Sequence, residues 1–190
     1  YIRTKYRAYV SLPACRLYDR IVVVFPTLVF GGDEAHPVSS LSSGLPDLRR
    51  FSWLLGHLNV EARFHFIHAE DIARIVRHLL EKPEVEKNYV LGNEPVSLGE
   101  FTKRAAKYFG HRIRWQITLS PRLLLRLGVL LGAKVSSWDY FCVRYQNFVY
   151  QSVSCPSFGL PTTHGTVEEI VADWEVIQRL RASLQSRRDI

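Results

Sequence analysis

Tyr1 and Lys5 stand four residues apart, a spacing that puts both side chains on one face of a helix. A phenol with a pKa of about 10 is a poor base at neutral pH. A neighbouring ammonium favours the phenolate, so the two groups together make a proton donor and acceptor suited to interconverting an alcohol and a ketone. Pro26 and Thr27 lie near the end of an apolar run, and ligands of doubly wound sheets bind at the carboxyl ends of the strands. Arg63 is the residue best suited to meet an anionic group of a substrate. His65 and His68 raise the question of a metal. Positions three apart on a strand face opposite sides and no third ligand is near in the chain, so both are read as structural and no metal is expected. Asp71 falls in the first turn of a predicted helix, where a carboxylate meets the positive end of the helix dipole, and it too is read as structural.

The elements that must position these groups alternate. Residues 1–17 read as a helix ending near Pro13. Residues 20–30 read as one strand buried on both faces, bounded by Asp19 and Gly31. Loop chemistry follows, then a short helix over 48–58, and RFHFIH at 63–68 alternates as a strand does. Ile72, Ile75, Val76, Leu79 and Leu80 recur at helical spacing over 69–82, and Pro83 closes that helix. Asn88–Leu91 is a short strand. Ser97 and Glu100 form a capping box for a helix that runs to Gly110. Ile113–Ile117 reads as a further strand, and Ser120-Pro121 starts a very apolar helix. Thr166 and Glu169 form a second capping box, ahead of Ile170, Trp174 and Ile177. Strands alternating with helices predict an α/β fold.

These motifs, in this order, resemble those of the extended short-chain dehydrogenase/reductases, the NAD-dependent epimerase/dehydratase group. The likeness is carried by Tyr1–Lys5 as YxxxK, Phe25–Gly31 as a variant of RPTxVYG, Arg63–Ala73 as a variant of RDFIHVDDLA, and Tyr89–Gly92 followed by Val96–Glu100. Phe25 stands where that family usually has arginine and Phe30 where it has tyrosine, which bears on substrate contacts more than on fold.

The resemblance implies a chain that starts at the catalytic tyrosine. On that reading residues 1–92 are the C-terminal part of a Rossmann-type dinucleotide-binding domain, a doubly wound parallel sheet, with 31–62 on the substrate side. Residues 93–190 are a smaller helix-rich substrate lobe. Tyr1 and Lys5 would be catalytic and would also touch NAD or NADP, as would Pro26 and Thr27. Arg63 would touch the substrate. The implied activity is that of an NAD(P)-dependent epimerase, dehydratase or reductase, acting on a nucleotide sugar. The alternative is a non-catalytic dinucleotide-binding scaffold or sensor. The family's glycine-rich loop, acidic ribose-binding residue and catalytic Ser or Thr are expected upstream of Tyr1, so the 190-residue piece alone is expected to be inactive.

Bulk properties set limits. The chain is 47% hydrophobic and 23% charged, a balance that suits a globular domain. Three cysteines with no CxxC spacing argue against a disulfide framework or structural zinc, and for a reducing, cytoplasmic setting. The net charge of +7 comes without a long basic run, so no nucleic-acid partner is expected. Apolar runs are too short to cross a membrane. The leucines of 121–131 cover most of a helix and are expected to be buried between lobes or in an oligomer such as a homodimer.

Overall fold

The computed structural model describes residues 2–32, 42–82, 86–130 and 137–188. It opens with helix α1, Ile2–Ser11, closed by a 3-10 turn at Leu12–Ala14 that holds Pro13. Strands β1, Val23–Pro26, and β2, Leu28–Phe30, follow. Helix α2, Leu45–Leu55, has Pro46 in its first turn, three residues earlier than its apolar pattern suggests. Next come β3, Leu58–Asn59, β4, Arg63–Phe64, β5, Phe66–His68, and helix α3, Ala69–Glu81. Strand β6 is Asn88–Leu91, β7 is Val96–Ser97, and helix α4 is Leu98–Tyr108. The rest comprises β8, Ile117–Thr118, α5, Pro121–Leu130, α6, Ser137–Tyr145, β9, Asn147–Phe148, and α7, Val167–Arg188.

The expected α/β class with parallel strands holds. Strand β1 runs parallel to β6, β2 to β5 and β3 to β8, while β4 lies between antiparallel β7 and parallel β9.

The run at 20–30 is two strands in two sheets, not one strand buried on both faces. Pro26 has no amide to continue the ladder. The Thr27 amide then bonds to the Leu91 carbonyl at 3.0 Å, and the next amide, Leu28, to the His65 carbonyl at 3.3 Å. The chain thereby changes partner from β6 to β5. The predicted strand at 63–68 divides the same way at His65, between β4 and β5. Of Ile113–Ile117 only Ile117 lies in a strand, β8, where it pairs with Leu58 of β3. Within the single chain Leu123 and Val129 of α5 are exposed and Leu130 is 81% exposed, so these side chains are not covered by another part of the described residues.

The helix ends follow their caps. Ser97 Oγ accepts the Glu100 amide at 3.0 Å, and Gly110 ends α4 with φ +87°. Thr166 and Glu169 bond reciprocally ahead of α7, amide to carboxylate at 2.9 Å and amide to hydroxyl at 3.3 Å. Ile75 and Leu79 of α3 are buried as their spacing predicts, whereas Leu80 points to solvent.

One buried cluster joins Phe30, Leu45 and Phe66 to Phe101, Val167, Ile170, Val171 and Trp174, so α4 and α7 close over the β2–β5 pair. A second joins Ile67, Ile75, Leu79, Tyr89, Leu91 and Cys155 on the other face.

Candidate active site

Tyr1 lies outside the described residues. Lys5 is on α1, whose described side chains, from Arg3 to Ser11, are all exposed. Lys5 and Tyr9 are four apart, so they share one stripe of the helix. The Tyr9 ring meets Phe25 edge-on at 5.2 Å, next to Pro26. The stripe that Lys5 shares with Tyr9 therefore meets β1 at Phe25, near its carboxyl end. Pro26 is exposed there. Thr27 is half-buried, and both of its polar donors are committed within the protein: its hydroxyl donates to the Leu91 carbonyl at 2.9 Å, and its amide goes to the same oxygen. Arg63 is exposed, but it sits on β4 in a different sheet from Pro26.

A nicotinamide dinucleotide is the cofactor this arrangement brings to mind, and the donor set fits it in part. Lys5 would be the residue to meet ribose hydroxyls, and exposed Pro26 stands at the strand end. Thr27 has no spare donor. The sequence has no GxGxxG loop for a pyrophosphate. A cavity of about 260 Å³ opens between α1 and the starts of β1 and β6, lined by Tyr9, Leu12, Tyr18, Val23 and Lys87 among others. It lies at the wrong end of those strands for a nucleotide.

The two histidines are both buried and hold opposite tautomers. His65 Nδ1 lies 2.7 Å from the Asn93 carbonyl, which can only accept, so the proton is on Nδ1. Its Nε2 accepts the Tyr150 amide at 3.0 Å. That imidazole is a fully bonded strut at the point where β4 gives way to β5. His68 is the N-cap of α3: its Nδ1 accepts the Glu70 amide at 3.3 Å, which puts the proton on Nε2, 3.2 Å from Asp173 Oδ2.

His68 does have candidate co-ligands in space, which the sequence did not show. The His164 ring stacks on it at 3.8 Å, inclined by 24°. His164 Nε2 lies 3.6 Å from Asp173 Oδ1, and its Nδ1 lies 3.8 Å from Glu70 Oε2. The His68 hydrogen bond, with both imidazoles adding, holds the Asp173 carboxyl below the usual carboxylate range. Asn93 links His65 to His164: its carbonyl accepts from His65 Nδ1, and its side-chain amide donates to the His164 carbonyl at 3.2 Å. Asn93, His164 and Asp173 are the residues sequence reasoning missed, and nothing local marks them.

No family model and no curated protein sequence matches the chain. Among solved structures, gox2253 aligns over 84% of this chain and 50% of its own, with a TM-score of 0.51 at 17% identity. The chain shares that protein's α/β fold. Two looser alignments have TM-scores too low to establish a common fold. One is RMD from Pseudomonas aeruginosa, complexed with NADPH, at 0.47, 12% identity, 83% of this chain and 49% of that one. The other is PA4631, a nucleoside-diphosphate-sugar epimerase from Pseudomonas aeruginosa, at 0.38, 19% identity, 72% and 51%. The chain spans about half the length of the solved structures it matches. Among the described residues no helix is long and apolar enough to cross a membrane.

Proposed function

We propose that this chain belongs to an NAD(P)-dependent enzyme of the extended short-chain dehydrogenase/reductase type, one that interconverts an alcohol and a ketone on a nucleotide sugar. The observation that carries the reading is the placement of the Lys5 stripe. It runs along α1 toward Phe25 and Pro26, at the carboxyl end of a parallel strand pair. Ligands of such sheets bind at that end.

In this reading the Tyr1 phenol oxygen exchanges a proton with the substrate oxygen. The Lys5 ammonium favours the phenolate and bonds ribose hydroxyls. Arg63 meets an anionic group of the substrate. Exposed Pro26 packs against the nicotinamide end, and Thr27 also acts through packing because its donors are taken. When bound, the nicotinamide supplies the hydride chemistry.

The test uses the whole protein. NADH and NADPH are titrated by fluorescence, and turnover is measured on a panel of nucleotide sugars. Lys5→Ala is expected to weaken dinucleotide binding about tenfold or more, the loss of a charged hydrogen bond. Tyr1→Phe is expected to keep that affinity and lose turnover by orders of magnitude. Unchanged affinity in Lys5→Ala would make the Tyr1–Lys5 spacing a coincidence and overturn the reading.

A further inference from the structure

The His68 cluster shares no residue with the Lys5 stripe, and its parts come from three separate places: the β5–α3 junction, the loop before α7, and α7 itself. Both imidazoles are oriented alike. Each turns Nε2 toward the Asp173 carboxylate, at 3.2 and 3.6 Å. Each turns Nδ1 the other way, toward Glu70. His164 Nδ1 also meets the Thr163 hydroxyl at 2.8 Å. The His68 lone pair is on Nδ1, where it accepts the Glu70 amide, and His164 presents Nδ1 to the Glu70 carboxylate at 3.8 Å with Nε2 on the Asp173 side.

Histidine that binds a metal through one nitrogen almost always gives its other N–H to a carboxylate or carbonyl, which fixes the ring and its tautomer. Here one carboxylate stands in that position for two rings. One ligand atom from each of His68, Glu70 and His164 lies within 4.8 Å of the other two. We propose that His68, Glu70 and His164 form a binding site for a divalent transition-metal ion of the zinc class, with Asp173 as the positioning residue behind both imidazoles.

Two nitrogens and one carboxylate oxygen are donors that suit such an ion, and the fourth position of a tetrahedron is left to water. Ligand bonds of about 2.0–2.2 Å require the three atoms to draw closer than they stand here. His68 is the fixed member, because its ring is packed so tightly on Gly31 that a Cβ there would come within 2.5 Å of Nε2. Glu70, exposed in the first turn of α3, is held by Arg74 through Oε1 at 2.5 Å and keeps Oε2 on the His164 side, and His164 belongs to a loop, so Oε2 and His164 are the parts that close in. Closure gives up the long Glu70 amide bond to Nδ1 and the Thr163 contact, and it tilts the stacked rings apart. The ion would join the start of α3 to the start of α7, so binding would also raise the unfolding temperature.

The experiment is a Zn²⁺ titration by calorimetry on the whole, chelator-treated protein, with thermal unfolding alongside. Wild type is expected to take up one equivalent that His164→Gln and Glu70→Gln bind at least about tenfold more weakly. Asp173→Asn is expected to lose roughly 10- to 100-fold in affinity, as for removal of an outer partner of a ligating histidine. His111→Ala, elsewhere on the surface, is expected to change nothing. Equal zinc affinity in wild type and the His164 and Glu70 variants would overturn the site. Should a variant fail to fold, Co²⁺ added to wild type decides the matter: visible ligand-field bands of a nitrogen and oxygen set support the site, and their absence overturns it.

Discussion

The face built by α1 and β1 and the junction built by β5, α3 and α7 invert the usual pattern in opposite ways: apolar side chains stand open on the first, and polar ones are enclosed at the second. On the first, Tyr6 is 65% exposed, and Tyr9, Val10, Leu17 and Phe25 are exposed as well. At the second, polar and ionisable groups are enclosed: His65, His68, Asp71 and Asn93 are all buried. A buried polar group costs stability unless it is bonded; each nitrogen of His65 and His68 has a partner, while Asp71 Oδ1, among the described residues, has only Arg74 at 3.7 Å. The contrast shows that burial here follows the availability of neighbouring elements more closely than it follows hydrophobicity. Candidate chemistry lies on both sides: the Lys5 stripe on the open face, and the paired histidines at the closed junction.

Cysteine labelling is the sharpest way to test that contrast. Cys15 is exposed beside α1, and Cys155 is buried against α3 with its thiol 3.6 Å from the Asp71 carbonyl. Burial pushes the Cys155 thiol up to about 11, with the Asp71 carboxylate adding to the effect. At pH 8 its thiolate is then on the order of one part in a thousand. Iodoacetamide followed by peptide mapping should modify Cys15 several hundredfold faster than Cys155 in the native protein. Equal rates would mean that the junction opens as readily as the bare face.

The next largest effect is expected from Gly31→Ala. Gly31 has φ +107°, and an added Cβ would strike the His68 ring. Backbone strain and overpacking together should cost about 3 kcal/mol, read from urea unfolding. A change under about 0.5 kcal/mol would show that His68 is free to move aside and that the junction is loose.

The smallest effect concerns the clamp between α4 and α7. Arg104 Nε donates to Glu168 at 2.8 Å, and a terminal guanidinium nitrogen reaches the other carboxylate oxygen. Both side chains are partly exposed, so Arg104→Ala should cost only about 0.5 kcal/mol. The Arg104 hydrogen bond lowers the Glu168 pKa in the folded state. That contribution is present above the unfolded value of about 4.3 and fades as the pH falls through the lower, folded value. Stability curves of wild type and Arg104→Ala should therefore converge on the acid side. Parallel curves down to pH 2 would remove the ion pair from the account.

How much of this was legible in the sequence depended on range. Helices α3, α4 and α7 announce themselves through local signals: a 3.6-residue apolar period, Ser97 with Glu100, and Thr166 with Glu169. The division of 20–30 at Thr27 was less visible, because periodicity reports apolarity and not which strand receives each amide. The junction was illegible, since His68 meets Asp173 only after the chain has folded back across 105 positions. Arg63 and Pro26 were singled out together, yet they lie in different sheets because the chain changes partner at both Thr27 and His65.

The first core cluster also has a consequence in time. Phe30 and Phe66 are sealed by Ile170, Val171 and Trp174, which the ribosome delivers more than a hundred residues later. During synthesis those phenylalanines emerge with no permanent cover, and contacts between distant residues form slowly. The nascent chain is thus most prone to aggregate in the interval before α7 emerges, and changes that weaken α7 should lower the yield of folded protein before they alter any property of the finished molecule.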